Sequence, residues 1–147
     1  FLMAIRRVYD AIPKIIWKHY HPGKGDGWGS ITTMIKKMVE KPEIAKVPQP
    51  FGDVVKVSWD RVGRDLRDYR DCMIHYVPLT NGLETCWLER YNGLWGVSVK
   101  LPAPGSKSRK LFDFENGPEA LHYCHNVAIE TVELCENLKN QIKLGTI

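Results

Sequence analysis

The run Arg70-Asp71-Cys72-Met73-Ile74-His75 places a cation, a carboxylate and an imidazole close together near the end of an amphipathic stretch. On an α-helix Asp71 and His75 are four apart and share a face, while Arg70 sits about 100° round from Asp71, so all three border one cleft. His75 falls at the C-terminal end of the stretch, where the partial negative charge of the backbone favours an imidazolium, and Asp71 acts in the same direction. A histidine that trades protons near neutral pH, beside an arginine that holds a phosphate with two parallel hydrogen bonds, is a minimum for metal-free RNA cleavage. In that chemistry the base removes the ribose 2′-hydroxyl proton, the oxygen attacks the adjacent phosphorus, and the cation stabilises charge on the phosphorane.

The same residues also belong to a dense mixed-charge face. Asp60 and Arg64, Arg61 and Asp65, Arg64 and Asp68, and Arg67 and Asp71 are all four apart. Such pairs contribute about 0.2–0.5 kcal/mol each. A solvated ladder of this kind accounts for the charges without any site.

The element that must position these groups is a helix from Asp53 to about Tyr76. Its apolar positions Val55, Trp59, Val62, Leu66, Tyr69, Met73 and Tyr76 step by four and three in alternation, which gives one buried seam. Gly63 costs about 1 kcal/mol of helix propensity against alanine, so it is read as a point of close approach by another helix or a loop. Pro78 and Asn81-Gly82 end the helix.

Around it the pattern is mainly helical. Residues 1 to 19 carry Ile5, Val8, Ile12, Ile15 and Ile16 at helical spacing, with Pro13 predicting a kink or restart. The glycine-rich stretch from His21 to Gly29 predicts a flexible loop, with a lid as one use for it, and Ser30 is placed to cap a helix through about Lys41. Pro42, Pro48 and Pro50 mark an irregular connector. Thr85 to Glu89 and Leu94 to Leu101 are β-prone runs around Tyr91-Asn92-Gly93, a tight-hairpin signal. A loop with the basic run Ser106 to Lys110 follows, then a short strand over Leu111 to Phe114. Gly117-Pro118-Glu119 opens a last helix with a seam of Leu121, Cys124, Ala128, Thr131, Cys135, Leu138 and Ile142.

Bulk properties set the frame. The 147 residues, 44% of them hydrophobic, suit one domain over 1–147 with one core. The balance of 21 Lys plus Arg against 17 Asp plus Glu is only mildly basic, and with both signs interspersed it does not by itself point to nucleic acid. Cys72, Cys86, Cys124 and Cys135 show no CxxC spacing and lie in regular segments, from which a reducing compartment and a cytoplasmic location are expected. No apolar stretch approaches the roughly 20 residues of a membrane span. The opening Phe1-Leu2-Met3-Ala4-Ile5 meets charge too soon for a secretory signal.

Tyr69-Arg70-Asp71-Cys72-Met73-Ile74-His75-Tyr76 resembles the signature of the HEPN superfamily (higher eukaryotes and prokaryotes nucleotide-binding): an arginine, a polar residue, three variable residues and a histidine. The preceding Asp65-Leu66-Arg67-Asp68 and the following Val77-Pro78 resemble that family's helix and its end. The resemblance implies an antiparallel helical bundle, here with a β-hairpin inserted at about 84–101, that dimerises through the 53–76 helix. It also implies a metal-independent endoribonuclease of a toxin–antitoxin or phage-defence system, with RNA as substrate, an antitoxin or other protein as partner, and no cofactor. Carried over, Arg70 orients or stabilises the scissile phosphate, His75 is the general base or acid, and Asp71 is the polar residue that positions His75. Aspartate stands where asparagine or histidine is more familiar in active members, and this favours the alternative of a catalytically inactive module that binds RNA, nucleotide or a protein partner.

Other residues carry less. His122 and His125 flank Cys124 on the last helix without a second ligand cluster, and His19 and His21 flank a turn with the same limitation. The glycine run lacks the Gly-Lys-Ser/Thr ending of a phosphate loop. Of the five tryptophans, Trp59 belongs to the buried seam, Trp87 and Trp95 are expected to pack the hairpin on a helix, and Trp28 is expected to be exposed. The Lys107 to Lys110 run reads as a solvated loop.

Overall fold

The computed structural model describes residues 1–25, 27–75, 86–105 and 112–144. The expected helix end at Tyr76 to Pro78, Asn81-Gly82, the basic run up to Lys110 and Leu111 lie outside them, as do the side chains of Met73, Ile74 and His75. The described chain is mainly helical with one small antiparallel sheet.

Helix α1 spans Leu2–Tyr20 and runs through Pro13 without a restart. The proline ring is itself buried, so apolar contact offsets the backbone bond its missing N–H cannot make. Tyr9, Ile12 and Ile16 form the inner face, whereas Ile15 is exposed, because residues three and four apart share a face and residue 15 falls beside that row. After the glycine-rich loop, Ser30 caps α2 (Ile31–Glu40) by accepting a hydrogen bond from the Thr33 amide at 3.2 Å. The loop is tied to the helices on both of its sides. Trp17 Nε1 donates to the Gly25 carbonyl at 2.8 Å, and Trp28 is buried in the core rather than exposed.

A single turn, α3 (Pro42–Ala45), leads to α4 (Gln49–Ser58), a π-helical turn at Trp59–Gly63 and α5 (Arg64–His75), which continue one another. Val55, Trp59, Val62, Leu66 and Tyr69 are all buried, as the periodicity predicts. Gly63 serves its own helix: a Cβ there would stand 2.3 Å from Cε3 of Trp59, so the close approach is made by the indole one turn earlier.

Strands β1 (Cys86–Tyr91) and β2 (Leu94–Val99) pair antiparallel, with Tyr91 opposite Leu94 and Cys86 opposite Val99. Asn92 and Gly93 make the two-residue turn with φ of 49° and 86°, the positive values that a tight hairpin needs. Phe112 to Phe114 form no strand. A backbone bond from Ala103 to Asp113 and a lone bridge between Lys100 and Glu119 tie this segment down instead.

Helix α6 (Ala120–Leu144) starts at Glu119, whose carboxylate accepts from the amides of Leu121 and His122. Its inner row is Val127, Thr131, Leu134 and Leu138; Leu121 and Cys135, expected in the seam, are exposed. Both lie one position off the row that faces α4 and α1. The main core gathers α1, α2, α4, the π-turn, Leu66 of α5 and α6, and a second cluster of Tyr69, Cys72 and Leu101 joins the rest of α5 to the segment after the hairpin. Tyr69 Oη donates to the Pro102 carbonyl at 2.9 Å.

Candidate functional site

Tyr69 and Cys72 are held in that second cluster, so the residues between them point outward along the flank of α5. Arg70 and Asp71 are half-buried. Arg70 donates from Nε to Asp71 Oδ1 at 2.8 Å and from Nη2 to the same oxygen. The other carboxylate oxygen faces Arg67 Nε at 3.6 Å. The structure therefore brings Arg70 and Asp71 together, and α5 reaches His75, whose side chain lies outside the described residues.

Arg67 and Arg70 form one wall of a cleft of about 520 Å³; Arg6, Asp10 and Lys14 of α1 form another, and Gly29, Ser30 and Thr32 at the start of α2 close it. Arg6 is only 4% exposed. Its Nη2 pairs with Asp10 at 2.9 Å and its guanidinium carbon stands 5.2 Å from the centroid of the Trp59 ring. Nε and Nη1 of Arg6 are buried and have no hydrogen-bond partner among the described residues. Burial pulls the Arg6 guanidinium below its ordinary value; Asp10 and Asp71 oppose this, and Arg70 and Arg67 add to it. Three arginines thus share one electrostatic neighbourhood, which attracts an anion more strongly than any one of them alone.

Arg6 and Lys14 were not among the residues singled out from sequence. The available signal was the four-residue spacing of Arg6, Asp10, Lys14 and Lys18, which aligns them along one stripe of α1. What no local pattern contains is that this stripe faces α5.

The charge ladder forms in part. Asp60 pairs with Arg64 and Lys56, and Arg67 with Asp71, but Arg61 turns to Glu130 of α6 at 3.2 Å. Asp60 is held below the usual carboxylate range, first by its hydrogen bond from Lys56.

The remaining sequence candidates fall elsewhere. His122 Nε2 lies 3.0 Å from the Asn126 side-chain amide, His125 is exposed, and His21 is buried and stacked on Trp17 at 4.0 Å between ring centroids. Among the described residues no group of three or more His, Cys, Asp or Glu could hold a metal ion. Among the described residues no two cysteines are joined in a disulfide. Trp87 packs against Phe114 and lies under Lys100, whereas Trp95 is 71% exposed. Among the described residues no helix is long and apolar enough to cross a membrane. No family model, curated protein or solved structure matches the chain.

Proposed function

We propose that this chain is a HEPN-like, metal-independent endoribonuclease of a toxin–antitoxin or phage-defence system, acting on RNA held in the cleft at Arg70. The observation that supports it is that the arginine of the resembling motif lines a cleft shared by Arg6, Arg67 and Lys14. In this reading the planar fork of Arg70, kept in place by Asp71, engages the scissile phosphate, and Arg67 and Arg6 add positive potential as charge builds on the phosphorane. His75 removes the proton from the ribose 2′-hydroxyl, the oxygen bonds to phosphorus, and the bond from phosphorus to the 5′-oxygen breaks. The products are a 2′,3′-cyclic phosphate and a 5′-hydroxyl, the latter protonated by a second acid. A homodimer supplies that second group from the other copy. Because the apolar seam of the 53–76 helix is buried in its own fold, the dimer uses the outer face, where Val57, Arg61 and Arg64 are exposed.

The alternative is a catalytically inactive HEPN-like module that binds RNA, nucleotide or a protein partner. The pairing of Arg70 through both Nε and Nη2 with Asp71 favours it, since a cation already neutralised holds phosphate less tightly in a transition state. One experiment separates the two: incubation of the purified protein with diverse RNAs in EDTA. The nuclease reading expects cleavage that Arg70→Ala and His75→Ala abolish while circular dichroism is unchanged. Cleavage that survives both changes removes it. Salt-dependent binding without cleavage, lost on Arg70→Glu, establishes the binding module.

A further inference from the structure

The cleft at Arg70 does not stop at the site. A second cleft, of about 670 Å³, is lined by Lys14, Lys18 and Lys24 together with Trp17, Gly27 and Gly29, and it shares Lys14 and Gly29 with the first. The two form one trough along α1. Its described lining holds six basic side chains, Arg6, Lys14, Lys18, Lys24, Arg67 and Arg70, and one acidic side chain, Asp10, already paired with Arg6. The whole chain has 21 basic against 17 acidic residues, so the fold concentrates positive charge here beyond what composition supplies. Two other clefts among the described residues are balanced or acidic: Asp53 and Lys56 line one, and Asp53, Arg61, Glu130 and Glu133 line the other.

We infer that this trough is a track for the phosphodiester backbone of a single-stranded nucleic acid, leading along Lys24, Lys18 and Lys14 to Arg6 and the site at Arg70. Successive cations on the α1 stripe are one or two helical turns apart, about 6 Å per four residues. A single row of charges at that pitch fits the phosphates of one extended strand. At the junction of the two clefts the start of α2, with no acidic residue in its first turn, adds the partial positive charge of a helix N-terminus. Arg6 lies in the wall of the first cleft, about two turns of α1 beyond Lys14, 4% exposed, with two guanidinium nitrogens that have no acceptor among the described residues. A buried cation short of acceptors is costly, and an anion drawn into the cleft supplies them after a small turn of the guanidinium.

The track recognises charge and not bases. Of the two indoles in the trough lining, Trp28 is buried, and the Trp17 ring is covered on one side by His21 at 4.0 Å and 11° and is crowded by Gly27, where a Cβ would lie 2.0 Å from the indole. Neither arrangement leaves a face for a base to stack on. That the strand is RNA rests on the proposed function; that a strand is held along α1 rests on the trough.

The test is fluorescence anisotropy with the full chain and a labelled 2′-O-methyl RNA of about 12 nucleotides, within the range of known single-strand sites. The 2′-O-methyl groups block cleavage, so binding is read whether or not the chain is a nuclease. Lys14 and Lys18 are exposed, so Lys14→Ala with Lys18→Ala leaves the fold intact, as circular dichroism checks. Between about 50 and 200 mM salt, the double variant is expected to bind about tenfold more weakly and to lower the salt slope by about 1.4, two contacts at roughly 0.7 each. A single-stranded DNA of equal length should show the same change. Unchanged affinity and slope in the double variant would overturn the track, as would equal losses on a blunt duplex and on the single strand. Absence of cleavage of unmodified RNA, with the lysine dependence intact, would remove the nuclease and leave the track.

Discussion

Arg70 and Asp71 are neighbours in sequence, and the guanidinium donates from both Nε and Nη2 to one carboxylate oxygen. Consecutive helical residues do not face each other, so the long arginine must swing round the helix to make this pair. Its guanidinium is thereby held along the flank of α5, toward the cleft it shares with Arg6 and Arg67. The same pairing takes negative charge into a site otherwise built to attract it.

From this relationship Asp71→Asn is expected to tighten binding of uncleavable single-stranded RNA by about threefold at low salt, since the negative charge paired with Arg70 and Arg67 behind the cleft is removed while the side-chain shape is kept. The gain should shrink as salt rises. Anisotropy titrations across salt measure it, and weaker binding by the variant would show that Asp71 serves chiefly to orient Arg70.

The buried pair Tyr9 Oη and Ser58 Oγ, 2.7 Å apart, links α1 to α4 inside the core. Tyr9→Phe leaves the Ser58 hydroxyl unsatisfied and is expected to cost about 1–2 kcal/mol. For a chain of this size that lowers Tm by roughly 3–6 °C. Ser58→Ala added to Tyr9→Phe should cost less than the sum of the two single changes, because no unpaired hydroxyl remains. Thermal melts of the three variants form the double-mutant cycle, and strict additivity would place the stabilisation outside the hydrogen bond.

The parts legible in the sequence are those that local rules determine. The seam of Val55, Trp59, Val62, Leu66 and Tyr69 follows from period alone, the Ser30 cap from its side chain, and the hairpin turn from Asn92-Gly93. Where several rows of a helix are apolar, tertiary packing chooses among them. Thus α6 buries Leu134 and exposes Cys135, and α1 buries Tyr9 and exposes Ile15. Trp28 was placed outside by its glycine-rich neighbourhood, yet an indole removed from water stabilises the loop that carries it. The same division holds at the site. Arg70 and Asp71 are adjacent and could be read together, whereas Arg6 joins them across more than sixty residues, which no spacing rule encodes.

Asp65 supplies a pH test. Burial raises its carboxyl above the usual value, and the nearby Asp68 adds to this. A raised pKa in the folded state means that folding favours the protonated form. The contribution is therefore most favourable at low pH and is lost as pH rises through the folded value. At neutral pH the ionised carboxylate works against folding, and Asp65→Asn is expected to raise the urea midpoint. Near pH 3, below the unfolded value of about 3.9, wild type and variant should differ little. A variant that is less stable at pH 7 would show that the ionised Asp65 is stabilised by a partner.

Gly63 closes the π-helical turn, whose wide bond runs from the Arg64 amide to the Trp59 carbonyl. Alanine normally improves a helix by about 1 kcal/mol over glycine. Here its methyl would lie 2.3 Å from Cε3 of Trp59, and the indole must move. That ring is 5% exposed, carries Arg6 at 5.2 Å and touches Tyr9 with centroids 6.0 Å apart, so displacement disturbs both the core and the cleft. Gly63→Ala is expected to destabilise by about 1–3 kcal/mol, overpacking outweighing propensity. It should also weaken RNA binding, because Arg6 loses the surface that holds it. Trp59→Leu in the same chain makes room for the methyl, so the double variant should be no less stable than Trp59→Leu alone, and urea midpoints of the three chains measure this. A Gly63→Ala chain more stable than wild type would mean that the indole is free to move, and the link from the π-turn through Trp59 to Arg6 would fall with it.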